Sequence, residues 1–185
     1  MARTESAMLA LGTQAPDFSL PDVVGGRIVD VWSIAGPKGL LVMFICRHRP
    51  FVKHLEKALA QLGRDYEGKG IGIVAVSSNE AANHPDDAPA NLAEQARQLG
   101  LSFPYLYDET QDMARAYDAT CTSDFFLFDG GLNLAYRGQF DDSRPGNNAP
   151  ITGRDLRLAM NALLIGEPVH PIQKPSLGCN IKWKE

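Results

Sequence analysis

Apolar positions along this chain fall into short solid runs, alternating runs and helical stripes, and their order predicts a mixed α/β domain. Leu40-Leu41-Val42-Met43-Phe44-Ile45 is a six-residue apolar run after Gly36-Pro37-Lys38-Gly39, too short for a helix and read as a strand buried on both faces. Beyond it Phe51, Val52, Leu55, Ala58, Leu59 and Leu62 recur at three- and four-residue steps, an amphipathic helix to about Tyr66. Pro50 fits only its first turn, where backbone N–H groups lack helical partners, which puts Cys46 at or beside the N-cap. Gly68, Gly70 and Gly72 end the helix, and Ile71 to Val76 reads as a second buried strand. Strand, helix, strand implies a parallel pair with a right-handed crossover.

The flanks follow the same logic. Residues 1–12 carry no sustained pattern and read as a flexible N-terminal arm. Ala15 to Leu20 and Arg27 to Val31 alternate around a Gly25-Gly26 turn, an N-terminal hairpin, with a short helical turn at Trp32 to Ala35. Ser77 to Pro89 is a polar loop, after which Asp86 or Asp87 helps cap a helix from Ala90 to Leu99, stopped at Gly100. Phe103-Pro104-Tyr105-Leu106-Tyr107 fits an edge strand, because proline is confined to edges. Asp108 caps a helix through Tyr117, and Asp124–Phe128 with Leu132–Arg137 flank Asp129-Gly130-Gly131 as a hairpin. Thr152 or Asp155 opens a last helix to Ile165, and 167–185 is a Pro-rich tail packed on or near the domain. Hairpin, βαβ, helix, hairpin and helix together predict a central mixed sheet flanked by helices, with one main domain at 13–166.

Composition narrows the function class. A chain of 185 residues with net charge −4 can bury a core of its own, and its charge argues against nucleic acid and anionic membrane as partners. No apolar run approaches the ~18 residues of a membrane span, and the first twelve residues make a poor signal peptide. Three cysteines are an odd number for a disulfide framework, so a cytoplasmic location with reduced or redox-active thiols is expected.

The chemistry concentrates at the end of the first buried strand. A thiol there faces the positive end of a helix dipole, and Arg47, His48, Arg49 and Lys53 add positive charge, which favours a reactive thiolate. The plain alternative is a buried Cys46 with solvated basic neighbours. Arg47 and Arg49 are read as thiolate- or anion-binding groups, or as surface cations paired across a loop, with Asp141 and Asp142 open as partners. His48 and His54 lie six apart and face different sides of a helix, so with Cys46 they make no expected metal site. Asp141-Asp142-Ser143-Arg144-Pro145-Gly146-Asn147 reads as a locked turn, or as the mouth of a cleft.

This order of elements, with cysteine where strand meets helix, resembles the thioredoxin fold and, within it, the peroxiredoxin-like AhpC/TSA (redoxin) family. The resemblance rests on Ala15-Pro16-Asp17-Phe18-Ser19-Leu20, Phe44-Ile45-Cys46, Pro50-Phe51-Val52-Lys53-His54, Phe103-Pro104-Tyr105-Leu106-Tyr107-Asp108 and Cys121-Thr122-Ser123-Asp124-Phe125-Phe126-Leu127. It continues through Tyr136-Arg137-Gly138-Gln139, the Asp141–Asn147 turn and Gly178-Cys179-Asn180-Ile181-Lys182-Trp183. It implies a thioredoxin-like fold with an N-terminal hairpin extension and a thiol-dependent oxidoreductase or antioxidant activity. Three positions depart from the family. Where Cys-x-x-Cys-Pro is common, this chain has Cys46-Arg47-His48-Arg49-Pro50; Met43 stands where a threonine orients peroxide; and Ser123 stands where a cis-proline faces the reactive cysteine. A cis bond before a residue other than proline costs ~2.5–4 kcal/mol, so a trans peptide and a remodelled loop are expected at Ser123.

The resemblance implies Cys46 as nucleophile with Arg49 as its built-in cation. Arg47, His48, Pro50, Thr122 and Ser123 would line the cleft. Cys121 or Cys179 would resolve an oxidised Cys46, Cys121 ranking first because it precedes the facing loop. The expected function is a one-cysteine peroxidase-like reaction on hydroperoxides, with a peroxide or a thiol/disulfide as partner, no cofactor, and a homodimer as the expected assembly. The competing expectation is a redox-inactive binding module whose basic cleft takes an anionic ligand or partner.

Overall fold

A computed structural model describes residues 3–185. Its elements in chain order are β1 (Arg3–Glu5), β2 (Ser19–Pro21), β3 (Ile28–Asp30), α1 (Val31–Ile34), β4 (Gly39–Phe44), α2 (Pro50–Tyr66), β5 (Ile71–Ser77), a 3-10 turn (Pro85–Asp87), α3 (Pro89–Leu99), β6 (Tyr105–Tyr107), α4 (Asp112–Ala116), β7 (Cys121–Thr122), β8 (Asp124–Asp129), β9 (Leu134–Gly138), α5 (Arg154–Leu164) and β10 (Leu177–Asn180).

All six residues of β4 are buried, as an unbroken apolar run requires. Antiparallel pairing joins β8 to β4 on one side and to β9 on the other. On its other flank β4 lies against β5, and the Ile45 N–H donates to the Val76 carbonyl at 2.9 Å. β6 extends β5 in parallel. Alternation along these strands divides the core into two layers. Leu41, Met43 and Ile45 face Val52, Leu55, Leu59 and Leu62 of α2, with Leu92 of α3 and Met160 of α5 in the same cluster. Leu40, Val42 and Phe44 face the other way, toward Val29, Val31, Tyr117 and Phe126. Burying the five large β4 side chains contributes on the order of 10 kcal/mol, at about 1.5–3 kcal/mol each.

β2 and β3 form the expected antiparallel hairpin, with Leu20 opposite Val29. Both chain ends contribute strands. Arg3–Glu5 pairs with Leu177–Cys179, and β10 pairs with β7, so a three-stranded sheet of order β1-β10-β7 brings Thr122 against Cys46 at the end of β4. Met1 and Ala2, part of the expected arm, lie outside the described residues. Neither end carries a clear periodicity: both strands are short, and they pair with each other from more than a hundred residues apart in sequence.

Two local expectations are corrected. The N-cap of α2 is Arg49, so Cys46 stands three residues ahead of the cap rather than beside it. The cap of α3 is Ala88, without a side-chain hydrogen bond; Asp87 turns inward and accepts from the Arg47 backbone N–H at 2.9 Å and Asn79 Nδ2 at 2.9 Å. Asp108 does accept from backbone N–H groups of α4, at Met113 and Ala114.

Candidate active site

The buried run of β4 delivers Cys46 to the carboxyl end of the central sheet, where open α/β sheets place their ligands. The thiol has no exposed surface. Its sulfur lies 3.4 Å from Thr122 Oγ1, and the backbone N–H groups of Arg49 and His48 face it. Burial pushes the thiol up to about 11 and the Asp87 carboxylate adds to the rise, while Thr122 and the two amides pull it down. The expected low-pKa thiolate is therefore corrected: at pH 7 only about one thiol in 10,000 would be ionised. Desolvation outweighs the nearby donors, because no solvent reaches the sulfur to share the charge.

The basic cluster is mostly compensated. Arg47 pairs with Glu94 at 3.1 Å, Lys53 with Glu56 at 3.3 Å, and exposed His48 stands 3.6 Å from Asp86. Half-buried Arg49 instead sets Nη2 3.2 Å from Nδ1 of His84, with no carboxylate partner among the described residues. Arg49 is thus the member of the basic cluster left without a carboxylate among the described residues. Pro50 opens α2 and is exposed. Asp141 and Asp142 do not serve as arginine partners for this cluster. Asp141 accepts from the backbone N–H groups of Ser143, Thr152 and Gly153, and Asp142 pairs with Lys174 at 2.9 Å. Arg144 donates to the carbonyls of Asp141 and Ser143, which locks the turn, and His54 meets Ser143 Oγ at 3.1 Å at its edge.

Across from Cys46 runs the Thr122–Ser123 loop, and its peptide bond is cis, against the trans bond expected. The expectation weighed only the intrinsic preference of an isolated peptide. In the fold β10 lies on this loop: a Cβ on Gly178 would collide with the Thr122 carbonyl oxygen, and Ser176 Oγ donates to the Ser123 carbonyl. Thr122 Oγ1 also reaches the Cys179 carbonyl at 3.5 Å. Successive strand residues point to opposite faces, so with Thr122 toward Cys46 the Cys121 side chain turns away. Its sulfur lies 3.8 Å from the Ser123 carbonyl, and its thiol is held well above the ordinary range by burial and then by Asp124. Cys179 is the strand partner of Thr122. All three thiols are buried and none forms a disulfide.

A family model described as AhpC/TSA matches residues 11–140. This chain belongs to the AhpC/TSA family. Thiol-disulfide oxidoreductase ResA from Geobacillus thermodenitrificans is 28% identical over 135 residues, covering 68% of this chain and 67% of that protein. Among solved structures, an uncharacterized conserved protein from Geobacillus kaustophilus is 51% identical, covers 100% of this chain and 97% of its own, and superposes with a TM-score of 0.98. A hypothetical protein of Sinorhizobium meliloti is 45% identical over 98% of both chains, with a TM-score of 0.96. A putative thiol:disulfide interchange protein DsbE from Chlorobium tepidum shares the fold, with a TM-score of 0.64 at 20% identity over 84% of this chain and 99% of that one. The fold is thus thioredoxin-like, with the N-terminal hairpin as its extension.

Met43, at the peroxide-orienting position, is fully buried in the core and offers no donor. Thr122, from the facing loop, supplies the only side-chain hydroxyl shown against the sulfur among the described residues. Sequence reasoning missed four contributors: Asp87 and His84 from the loop after β5, Gln95 on α3, which donates to the Cys46 carbonyl at 3.3 Å, and Asp124 beneath the loop. No motif signals them; the pairing of distant elements brings them together. Among the described residues there is no cluster fit to hold a metal ion, and no helix is long and apolar enough to cross a membrane.

Proposed function

We propose that this redoxin is a one-cysteine thiol oxidoreductase in which Cys46 reduces hydroperoxides. The observation that carries the reading is the donor set around a single sulfur: the Thr122 hydroxyl at 3.4 Å, two backbone amides, and the carboxylate-free Arg49 at the same junction. Neutral burial alone calls for no such set, whereas a sulfur that passes through an anion does. The Cys46 thiolate attacks the terminal peroxide oxygen, the O–O bond breaks, and the alcohol leaves after taking up a proton. Cys46 is oxidised by two electrons to a sulfenic acid. A small-molecule thiol condenses with it, releasing water, and a second thiol reduces the mixed disulfide to restore Cys46. With Arg49 in the second-cysteine position, an external thiol takes the resolving role, and the thiol-rich cytoplasm is part of the same proposal. The resting thiol is protonated, so the reading requires slow turnover that rises steeply with pH.

The competing reading, a redox-inactive binding module, is favoured by the complete burial of Cys46 and its raised pKa. Purified protein with hydrogen peroxide or cumene hydroperoxide and a small-thiol reductant separates the two. Turnover abolished by Cys46→Ser supports the oxidoreductase. Equal rates in the wild type and Cys46→Ser contradict it and favour the binder.

A further inference from the structure

A cavity of about 430 Å³ opens between α5 and residues 168–174, within the size range of small-molecule sites, and neither Cys46 nor the Thr122–Ser123 loop lines it. Arg154, Leu158 and Ala162 follow one another at four-residue steps on its α5 wall, a stripe about 12 Å long at 1.5 Å per residue. The opposite wall runs back along the helix. The Glu167 N–H donates to the Ala162 carbonyl at one end. At the other end the Lys174 carbonyl accepts from the Gln139 N–H, and the Gln139 side chain donates to Asp155 at 2.6 Å. Val169 and Ile172 of this wall, with Leu158 and Ala159 of the helix, make the lining largely apolar. Leu158 and Ile172 are 57% and 83% exposed, large apolar side chains held at the surface on the two sides of one groove.

The charged groups of the lining, Arg154, Asp155 and Lys174, all belong to one end. Lys174 is paired with Asp142 at 2.9 Å and Asp155 accepts from Gln139, whereas the Arg154 guanidinium has no hydrogen bond or ion pair among the described residues. Nor does α5 call for a cation there, because a helix dipole disfavours positive charge in the first turn. His170 Nδ1 accepts from the Ile172 N–H at 3.1 Å, so its proton sits on Nε2 and adds a neutral donor to the lining. We propose that the groove binds a free medium-chain alkanoate, its carboxylate paired with Arg154 and its alkyl chain laid along Leu158, Ala162 and Val169. One guanidinium matches one carboxylate in a two-bond fork, and the neighbouring Asp155 disfavours a ligand with a second negative charge. The site stands apart from the chemistry at Cys46 and does not rest on it.

Isothermal titration of the full chain with sodium octanoate, beside 1-octanol as the uncharged probe, tests the site. Octanoate should bind saturably, one to one, and more tightly than 1-octanol. Arg154→Gln should weaken octanoate about tenfold, the effect of losing a charge-assisted hydrogen bond, and leave 1-octanol unchanged. Leu158→Asn removes apolar surface from the wall and should weaken both probes. Both side chains are exposed, so melting midpoints should stay within about 2 °C of the wild type. The 1-octanol titration reports separately whether the groove of the Arg154→Gln protein is intact. No saturable octanoate binding, equal binding of the two probes, or octanoate binding untouched by Arg154→Gln would each overturn the proposal. So would a dimer in light scattering that Leu158→Asn dissociates while octanoate fails to bind, because the face would then belong to a second copy of the chain.

Discussion

Cys46 and Cys121 are both fully buried, yet opposite faces of the β7 strand give them different surroundings. Toward Cys46 stand the Thr122 hydroxyl and the backbone amides of His48 and Arg49, with the Asp87 carboxylate opposing them. Toward Cys121 the Asp124 carboxyl raises the thiol further, while Thr120 and Ser6 lower it. Burial opposes the thiolate on both sides and a carboxylate adds to it on each, and hydroxyls lower the cost on both, Thr122 for Cys46 and Thr120 and Ser6 for Cys121; the two backbone amides act only on the Cys46 side. Exposure therefore does not distinguish the two cysteines; the backbone amides around Cys46 do.

The largest expected effect comes from exchanging the two sulfurs one at a time. Cys46→Ser should abolish peroxide turnover in a coupled assay, whereas Cys121→Ser should change it by less than about threefold, because its sulfur points away from the site. A large loss in Cys121→Ser with folding intact would break the comparison.

The second effect is on stability and tests the Cys121 side. Asp124 is buried with Ser6 Oγ donating to it at 3.0 Å, and burial raises its carboxyl to about 7 from an ordinary 3.8. A carboxyl raised in the folded state keeps its proton longer there than in the unfolded chain. Its contribution is thus fully present below about 4 and is lost as pH rises through about 7. The wild type should lose up to about 4 kcal/mol between those limits through this group, and Asp124→Asn should flatten that slope in urea titrations. Parallel pH profiles for the two proteins would remove Asp124 as the cause.

Two smaller effects sharpen the donor side. Thr122→Val keeps shape but deletes the hydroxyl 3.4 Å from Cys46 and should slow alkylation of Cys46 about tenfold, with Cys121 unaffected. Arg49→Gln should lower the peroxide rate only a few-fold, mainly through KM and more at low salt, since half-exposed charge is screened. An Arg49→Gln rate unchanged at low salt would take the guanidinium out of the site.

Much of the frame was legible in the sequence. The solid run at β4, the three- and four-residue steps of α2 and the Asp129-Gly130-Gly131 turn each declare a local period, and each appears in the fold. What was not legible depends on partners remote in sequence. β1 and β10 show no period of their own and exist because Arg3–Glu5 meets Leu177–Cys179. The cis bond at Ser123 is signalled by no local rule, the intrinsic preference there being trans. The thiol was misjudged for a related reason: basic residues can be counted from sequence, but their pairing with Glu94, Glu56 and Asp86 and the burial of the sulfur cannot.

The most direct measurement is site-resolved alkylation of the wild type across pH, with Cys46 and Cys121 quantified in the same digest. A thiol held near 11 should label slowly at neutral pH and gain about tenfold per pH unit up to at least pH 10, with Cys46 ahead of Cys121 throughout. A Cys46 rate that levels off near the free-cysteine value of ~8.5, or one that never exceeds Cys121, would contradict the account.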